Sequence, residues 1–305
     1  MTETFEHISV LQNEITHFFV EYAPKVVVDC TLGGAGHTQK ILENLPNCHL
    51  IGIDQDPTAI EVAKQRLAAF ESRVQLVHGS FINIKEHLQA LGIEKVDGIL
   101  ADLGVSSHQL DTPNRGFSFR ENGPLDMRMD PTQGHPATWY LENLSAEDLA
   151  NGIWEFGEER YSRKIARALI QDQPQTTLEA AQLIARIIPR TKKGIHPATR
   201  TFQGLRIMVN RELDALQSLL NDLPDILNPG GLAAMISFHS LEDRLVKRAF
   251  KPLPKDDGNP FMNPIQEPHQ FKILTKKPMV ANSKETSTNI RSRSAKLRVA
   301  LRTDA

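Results

Sequence analysis

Cysteine is nearly absent from this chain of 305 residues, which carries only Cys30 and Cys48. Two isolated thiols exclude a disulfide framework, and with no C-x-x-C or clustered Cys/His spacing there is no zinc site to expect. Long apolar runs are missing too; none approaches the roughly 20 residues of a membrane span. The polar start Met1-Thr2-Glu3-Thr4-Phe5-Glu6 lacks the basic and apolar regions of a signal peptide. These absences favour a reducing cytoplasm and no membrane partner. The formal net charge is only -2, so whole-chain electrostatics do not announce a nucleic-acid partner. Two phosphate-binding patterns are also lacking: neither G-x-G-x-x-G nor G-x-x-x-x-G-K-[ST] occurs.

What is present begins at Val26-Val27-Val28-Asp29-Cys30-Thr31-Leu32-Gly33-Gly34-Ala35-Gly36-His37. An apolar run that breaks into a glycine cluster predicts a strand, a tight turn and an exposed helix N-terminus, the setting for a nucleotide-like ligand. A second run, Leu50-Ile51-Gly52-Ile53, ends in Asp54-Gln55-Asp56. Asp54 is thereby placed to accept hydrogen bonds from ribose hydroxyls. A compact loop without lysine suits a cofactor without phosphates, and S-adenosylmethionine fits that description. Read alone, the glycines could equally make a plain strand-to-helix turn.

Apolar residues make up 40% of the chain, enough for one sizeable core or a core with an inserted subdomain. Short apolar runs alternate with helical patterns through the first third, as in an α/β fold with a parallel sheet. Strands are predicted near 25–30, 49–54, 73–78 and 96–102, and helices near 37–45, 57–69 and 82–91. Asp56 is placed to cap the second helix, with Pro57 at its first position. The carboxyl ends of these strands should bring Asp29, Asp54, Gly79 to Phe81 and Asp102 to one crevice. Residues 110–135 read as a long ordered loop, and 136–190 as helices without strands, one of them capped at Thr176. The α/β rhythm resumes with a helix near 199–221, a strand at 231–238, a helix from about 240, and closing strands at 271–274 and 296–301. The expected organisation is a core, 1–109, an inserted helical subdomain for substrate recognition, 110–208, and the rest of the core, 209–305.

Charge is distributed less evenly than its sum suggests. From Arg190 to Arg211 the chain carries Arg190, Lys192, Lys193, Arg200, Arg206 and Arg211 with no acidic residue, and from Lys272 to Arg302 nine Lys/Arg against Glu285 alone. Either run can bind a polyanion or be a solvated face; the Arg291-Ser292-Arg293-Ser294 stretch could instead help close the sheet.

Many longer segments point the same way. They include His7-Ile8-Ser9-Val10-Leu11, Asp102-Leu103-Gly104-Val105-Ser106-Ser107-His108-Gln109-Leu110-Asp111, Arg115-Gly116-Phe117-Ser118-Phe119 and Leu125-Asp126-Met127-Arg128-Met129-Asp130. Further on stand Gly157-Glu158-Glu159-Arg160, His196-Pro197-Ala198-Thr199-Arg200-Thr201-Phe202-Gln203 and Ile236-Ser237-Phe238-His239-Ser240-Leu241-Glu242-Asp243-Arg244. On these the chain closely resembles, over almost its whole length, the ribosomal RNA small subunit methyltransferase H family. Ser9 and the Gly34-Ala35 pair depart from the residues usual there, but all are small.

The resemblance implies a class I S-adenosylmethionine-dependent methyltransferase: a Rossmann-like, mostly parallel seven-stranded sheet with a helical insertion. It implies methylation of the exocyclic N4 amine of a cytidine in the decoding region of 16S ribosomal RNA, with the RNA or the 30S subunit as partner. It sets the cofactor against Gly34, Ala35, Gly36 and His37, with Asp54 on the ribose, Phe81 and Asp102 near the adenine or methionine end, and Gln109 closing the site.

The cytosine amine is a poor nucleophile because its lone pair is delocalised into the ring, so a hydrogen-bond acceptor beside it should help. No Asp/Ser-Pro-Pro-Tyr motif follows the fourth strand. Asp102, Ser106 and Ser107 are therefore the candidate catalytic acceptors, and Asp126 and Arg128 candidates for holding the base. For RNA the candidates are Lys192, Lys193, His196 and Arg200. His37 and His239 invite a general-base role, but structural hydrogen bonding is the simpler expectation; His239 is read as the cap of the helix after the last parallel strand. A nicotinamide-dependent oxidoreductase and a non-catalytic ribosome-assembly factor are the competing readings. The expected state is a monomer or a homodimer.

Overall fold

A computed structural model describes residues 9–189, 194, 196–251 and 270–304. They divide into an α/β unit, up to Gly104 and from Asp214 on, and a helical unit, Val105–Leu213. The division falls at 104 and 213 rather than at the expected 109 and 208. Val105 and Leu110 pack on the helical core, whereas Leu216 and Leu219 join the sheet's core.

The α/β unit begins with α1 (Gln12–Tyr22), β1 (Val26–Asp29), α2 (Gly36–Asn44), β2 (His49–Asp54), α3 (Pro57–Arg66), β3 (Val74–His78), α4 (Ile84–Ala90) and β4 (Val96–Asp102). The helical unit contains α5 (Ser107–Asp111), α6 (Ala137–Asn143), α7 (Ala146–Gly157), α8 (Ser162–Asp172), α9 (Thr177–Ile187) and α10 (Thr199–Asn210). After it come α11 (Glu212–Ile226), β5 (Leu227–Ser237), α12 (Ser240–Phe250), β6 (Phe271–Ile273), α13 (Ser283–Thr288) and β7 (Lys296–Arg302). No helix among the described residues is long and apolar enough to cross a membrane.

The seven strands form one sheet in the order β3-β2-β1-β4-β5-β7-β6. β1 to β5 run parallel, and β7 is antiparallel to both β5 and β6. Parallel strands inside a sheet bury both faces, which is why β1, β2 and β4 are largely apolar, whereas edge strand β3 leaves Gln75 exposed. Val27, Leu50 and Leu100 point into one core with Ile15 and Phe19 of α1, while Val28, Ile51 and Ile99 point into the other with Leu219 and Leu223 of α11. This is the expected α/β sheet, and it leaves Asp29, Asp54, His78, Asp102 and Ser237 at the carboxyl ends of the five parallel strands.

Local chemistry sets the ends of the helices. Asp56 accepts from the Thr58 amide at 3.0 Å with Pro57 next to it, as expected for α3. α3 stops at Arg66 rather than near 69, and a 3-10 stretch, Ala68–Arg73, leads into β3. Another short 3-10 turn, Phe81–Asn83, delays α4 to Ile84. The basic end of the chain is partly internal: β7 lies within the sheet, and Arg298 and Lys296 reach Asp243 of α12 at 2.7 and 3.2 Å.

In the helical unit, Leu141, Leu149, Ile153, Ile165, Leu169, Ile184 and Leu205 make the core. α7 and α10 approach so closely that a Cβ on Gly157 would collide with the Arg200 carbonyl. The single helix expected near 199–221 is two helices, broken at Arg211, whose φ of 51° is left-handed. Its neighbour Asn210 accounts for the break: the Asn210 amide donates to the Met127 carbonyl at 2.8 Å and its Oδ1 accepts from the Met129 amide at 2.7 Å. Arg206 and Glu212 span the break with a two-pronged ion pair, both contacts at 2.8 Å.

Candidate active site

In the α/β unit the site is built on the loop from β1 to α2. Gly33 adopts φ 50°, and Ala35, at the N-cap of α2, takes φ 58° without a side-chain cap. Any side chain on Gly36 would strike the hydroxyl of Ser9, so the small residues at both positions are a packing requirement. The loop is fastened from below. The Asp29 carboxylate, 1% exposed, accepts from the Thr38 hydroxyl at 2.7 Å and the Thr31 amide at 3.2 Å. Asp29 was expected to line a crevice; it is instead buried as a brace, and burial pushes its carboxyl up from the usual range. Thr31 in turn accepts from the Asp102 amide at 2.6 Å, tying the end of β4 to the end of β1.

Asp54 is half-buried at the end of β2. Its two oxygens accept from the Gly33 amide at 2.7 Å and the Asp56 amide at 2.8 Å. Burial pushes its carboxyl up to about 6, against the pull of those two amides. Each carboxylate oxygen retains a second lone pair. Thus Asp54 can fix the glycine loop and still accept a hydroxyl. Phe81, half-buried after β3, packs its ring on the sheet's core. Arg66, which the sequence did not suggest, donates to the Gly34 carbonyl from the end of α3.

His37 and Asp102 meet at this edge. Nε2 of His37 lies 3.6 Å from Oδ2 of Asp102, with the imidazole 7% and the carboxylate 24% exposed. Both ring nitrogens of His37 and Oδ1 of Asp102 are buried without a hydrogen-bond partner among the described residues. Orphaned buried polar atoms cost about 1–3 kcal/mol each, so they are kept where something else satisfies them. Acceptors and donors beside a glycine loop fit the amino-acid end of an S-adenosylmethionine molecule, and Asp54 fits its ribose.

The candidates of the helical unit form separate groups. Ser106 caps α5: its Oγ accepts from the Gln109 amide at 3.2 Å, and Gln109 Oε1 accepts from the Ser106 amide at 3.0 Å. Ser107 opens the same helix, and Gln109 is buried. Asp126 and Arg128 form a two-pronged ion pair, with Nε and Nη2 each 2.8 Å from a carboxylate oxygen. Between them Met127 is fully buried at φ 67°, and Arg115 donates to the carbonyls of Arg128 and Met129. His196 is exposed, lies against Phe119 in a tilted arrangement with ring centroids 4.7 Å apart, and accepts from the Ala198 amide through Nδ1 at 3.2 Å. Arg200, also exposed, donates to the Glu158 carbonyl at 3.3 Å. Lys192 and Lys193 lie outside the described residues, as do Arg190 and the His7-Ile8 pair.

Sequence reasoning did not find Thr31 and Thr38, although both stand within the glycine-loop segment as hydroxyls near an aspartate. It also did not pair Asp126 with Arg128 or Asn210 with the Met127 turn; nothing in local spacing signals the latter.

The chain matches the model of the MraW methylase family over residues 4–303. It is 49% identical to the ribosomal RNA small subunit methyltransferase H of Sorangium cellulosum, over 97% of this chain and 91% of that one. With the enzyme of the same name from Clostridioides difficile the identity is 45%, over 97% and 98%. Among solved structures, an rRNA methylase from Streptococcus thermophilus is similar with a TM-score of 0.44 at 11% identity, over 98% and 99% of the two chains.

Proposed function

The chain belongs to the MraW methylase family, and from that premise we propose that it methylates the exocyclic N4 amine of a cytidine in the decoding region of small-subunit ribosomal RNA. The observation that carries the reading is the His37–Asp102 pair with its unpartnered buried atoms, set beside a glycine loop that Asp29 and Asp54 hold in place. Bound S-adenosylmethionine supplies an activated methyl group, so little covalent chemistry falls to the protein. Its main contribution is in-line placement of the amine, an effect worth on the order of 7–11 kcal/mol.

Within this reading Asp54 receives the ribose hydroxyls and Ala35 to His37 lie against the methionine end. Phe81 flanks the adenine. Asp102 is the favoured acceptor for an amine hydrogen, because its Oδ1 is uncommitted while the Ser106 hydroxyl already takes the Gln109 amide. Ser107 stands second. The Asp126–Arg128 ion pair is better suited to bracing the turn at Met127 than to gripping a base, since each side chain answers the other. His196 and Arg200, both exposed, together with Lys192 and Lys193, are assigned to the RNA.

The test is transfer of labelled methyl from S-adenosylmethionine to small ribosomal subunits taken from a strain lacking the enzyme, then nucleoside digestion and mass spectrometry. N4-methylcytidine is the expected product. A methyl on another atom would overturn the base assignment and keep the reaction class. No transfer despite measurable cofactor binding would favour an assembly factor.

A further inference from the structure

A second histidine–carboxylate pair stands at the next strand end. β5 pairs with β4 through Ile236 opposite Asp102, and the Leu103 amide donates to the Ile236 carbonyl at 3.0 Å. The chain therefore leaves the sheet at Ser237-Phe238-His239 directly beside the point where it leaves at Asp102-Leu103. His239 holds the N-cap position of α12, as the sequence suggested. The backbone there is served by Glu242, whose Oε2 accepts from the Phe238 amide at 2.8 Å and the His239 amide at 3.4 Å. The imidazole is only 10% exposed, its Nε2 faces Oε1 of the 3% exposed Glu242 at 3.0 Å, and its Nδ1 has no hydrogen-bond partner among the described residues.

His239 and Glu242 sit in the geometry of a capping box, yet the ring makes no cap hydrogen bond to the helix amides, and burying an unsatisfied ring nitrogen has a cost. The strand order gives the neighbours of this strand end. Asp54, the glycine loop and Asp102 sit at the ends of β2, β1 and β4, in that order across the sheet. A cofactor along those three ends leaves the β5 side for the acceptor. We propose that His239, held by Glu242, contacts the acceptor nucleobase on the β5 side of Asp102. This rests on the methyltransferase reading above and adds a residue to it. With a carboxylate beside Nε2, the hydrogen belongs on that nitrogen and Nδ1 is left as an acceptor, complementary to an exocyclic amine N–H. His239 and Asp102 then take the two amine hydrogens' directions between them, and Glu242 is the positioning residue.

The experiment compares wild type, His239→Ala and His239→Gln for methyl transfer to small subunits, S-adenosylhomocysteine affinity and thermal midpoint. The expected result is kcat/KM lower by about 10²-fold in His239→Ala, with cofactor affinity unchanged and His239→Gln in between. Glu242→Gln should lower kcat while leaving the KM for S-adenosylmethionine alone. Normal methylation by both His239 variants, with wild type active, overturns the assignment of His239 and leaves the methyltransferase reading intact. Loss of cofactor affinity or of the cooperative melt in both variants also overturns it, since the ring would then be structural. An inactive wild type overturns the parent reading and this one with it.

Discussion

The α/β unit and the helical unit spend their polar side chains differently. At the carboxyl edge of the sheet His37, Asp102 and His239 keep buried atoms with no hydrogen-bond partner among the described residues, and Asp54 keeps lone pairs beyond the two amides it serves. In the helical unit the charged and capping residues are closed on one another, Asp126 on Arg128, Arg206 on Glu212 and Ser106 on Gln109, and the buried atoms without a partner, Oε1 of Gln173 and Oγ1 of Thr201, belong to neutral side chains. Buried capacity left open is a standing cost that a ligand can repay, whereas a closed pair stabilises the fold and has little left to offer. The first unit is prepared for chemistry; the second is prepared for shape.

The comparison is most sharply tested at Asp102. If its open oxygen takes an amine hydrogen, Asp102→Asn should reduce kcat/KM about 10³-fold, more than any change within a closed pair. Steady-state methylation with small subunits measures it. An effect confined to S-adenosylhomocysteine affinity would move Asp102 wholly to the cofactor.

Asp54 follows, with a smaller effect on affinity. Asp54→Asn should weaken S-adenosylhomocysteine binding about tenfold, by loss of charge-assisted hydrogen bonds. Because burial holds the Asp54 carboxyl near 6, the ionised form that best accepts hydroxyls is lost as pH falls through 6. Wild-type affinity should therefore fall between pH 7.5 and 5, and the asparagine variant should show a flatter profile in calorimetry. The unliganded fold moves the other way. A carboxyl whose folded pKa is raised contributes most to stability below its unfolded value near 3.8, and that contribution is lost as pH rises through about 6. Opposite pH trends for binding and for the wild-type minus variant stability difference would be the signature of this one group.

Much of the fold was legible because it rests on local, repeated signals. Each strand is an apolar run ended by a turn, so the runs ending at Asp29, Asp54 and Asp102 identify both the sheet and its functional edge. The break at Arg211 was not legible: its cause is the bonding of Asn210 to Met127 and Met129, more than eighty positions away. The site was legible in its residue types and not in their commitments. Asp29 and Asp54 end strands in the same way, yet one is a sealed brace beneath the loop and the other retains room for a ligand. Spacing places a carboxylate at an edge; packing decides whether anything is left for a substrate.

For RNA the difference between the units predicts a graded response to salt. Charge reversal at Lys192 and Lys193 should weaken RNA binding and lower the slope of log affinity against log salt by about two, one for each lost phosphate contact. Reversal at Arg206, already bound by Glu212, should leave that slope unchanged. Filter binding across a salt series separates them, and equal slopes for the two variants would remove Lys192 and Lys193 from the interface.

The smallest effect belongs to the Asp126–Arg128 pair and bears most directly on what closure means. Both side chains are about one-fifth exposed, 23% and 21%, so water screens the pair and its coupling should be modest, about 1 kcal/mol. A thermal double-mutant cycle with Asp126→Asn and Arg128→Gln isolates that coupling from other losses of the single variants. The two side chains also brace a buried Met127 at positive φ, a conformation that costs a non-glycine residue about 1–2 kcal/mol. Each single variant should therefore lower the melting midpoint while leaving the KM for small subunits within about twofold of wild type. If instead the KM rises tenfold or more at unchanged stability, the pair opens to meet the RNA, and the division between an open unit and a closed one does not hold at this turn.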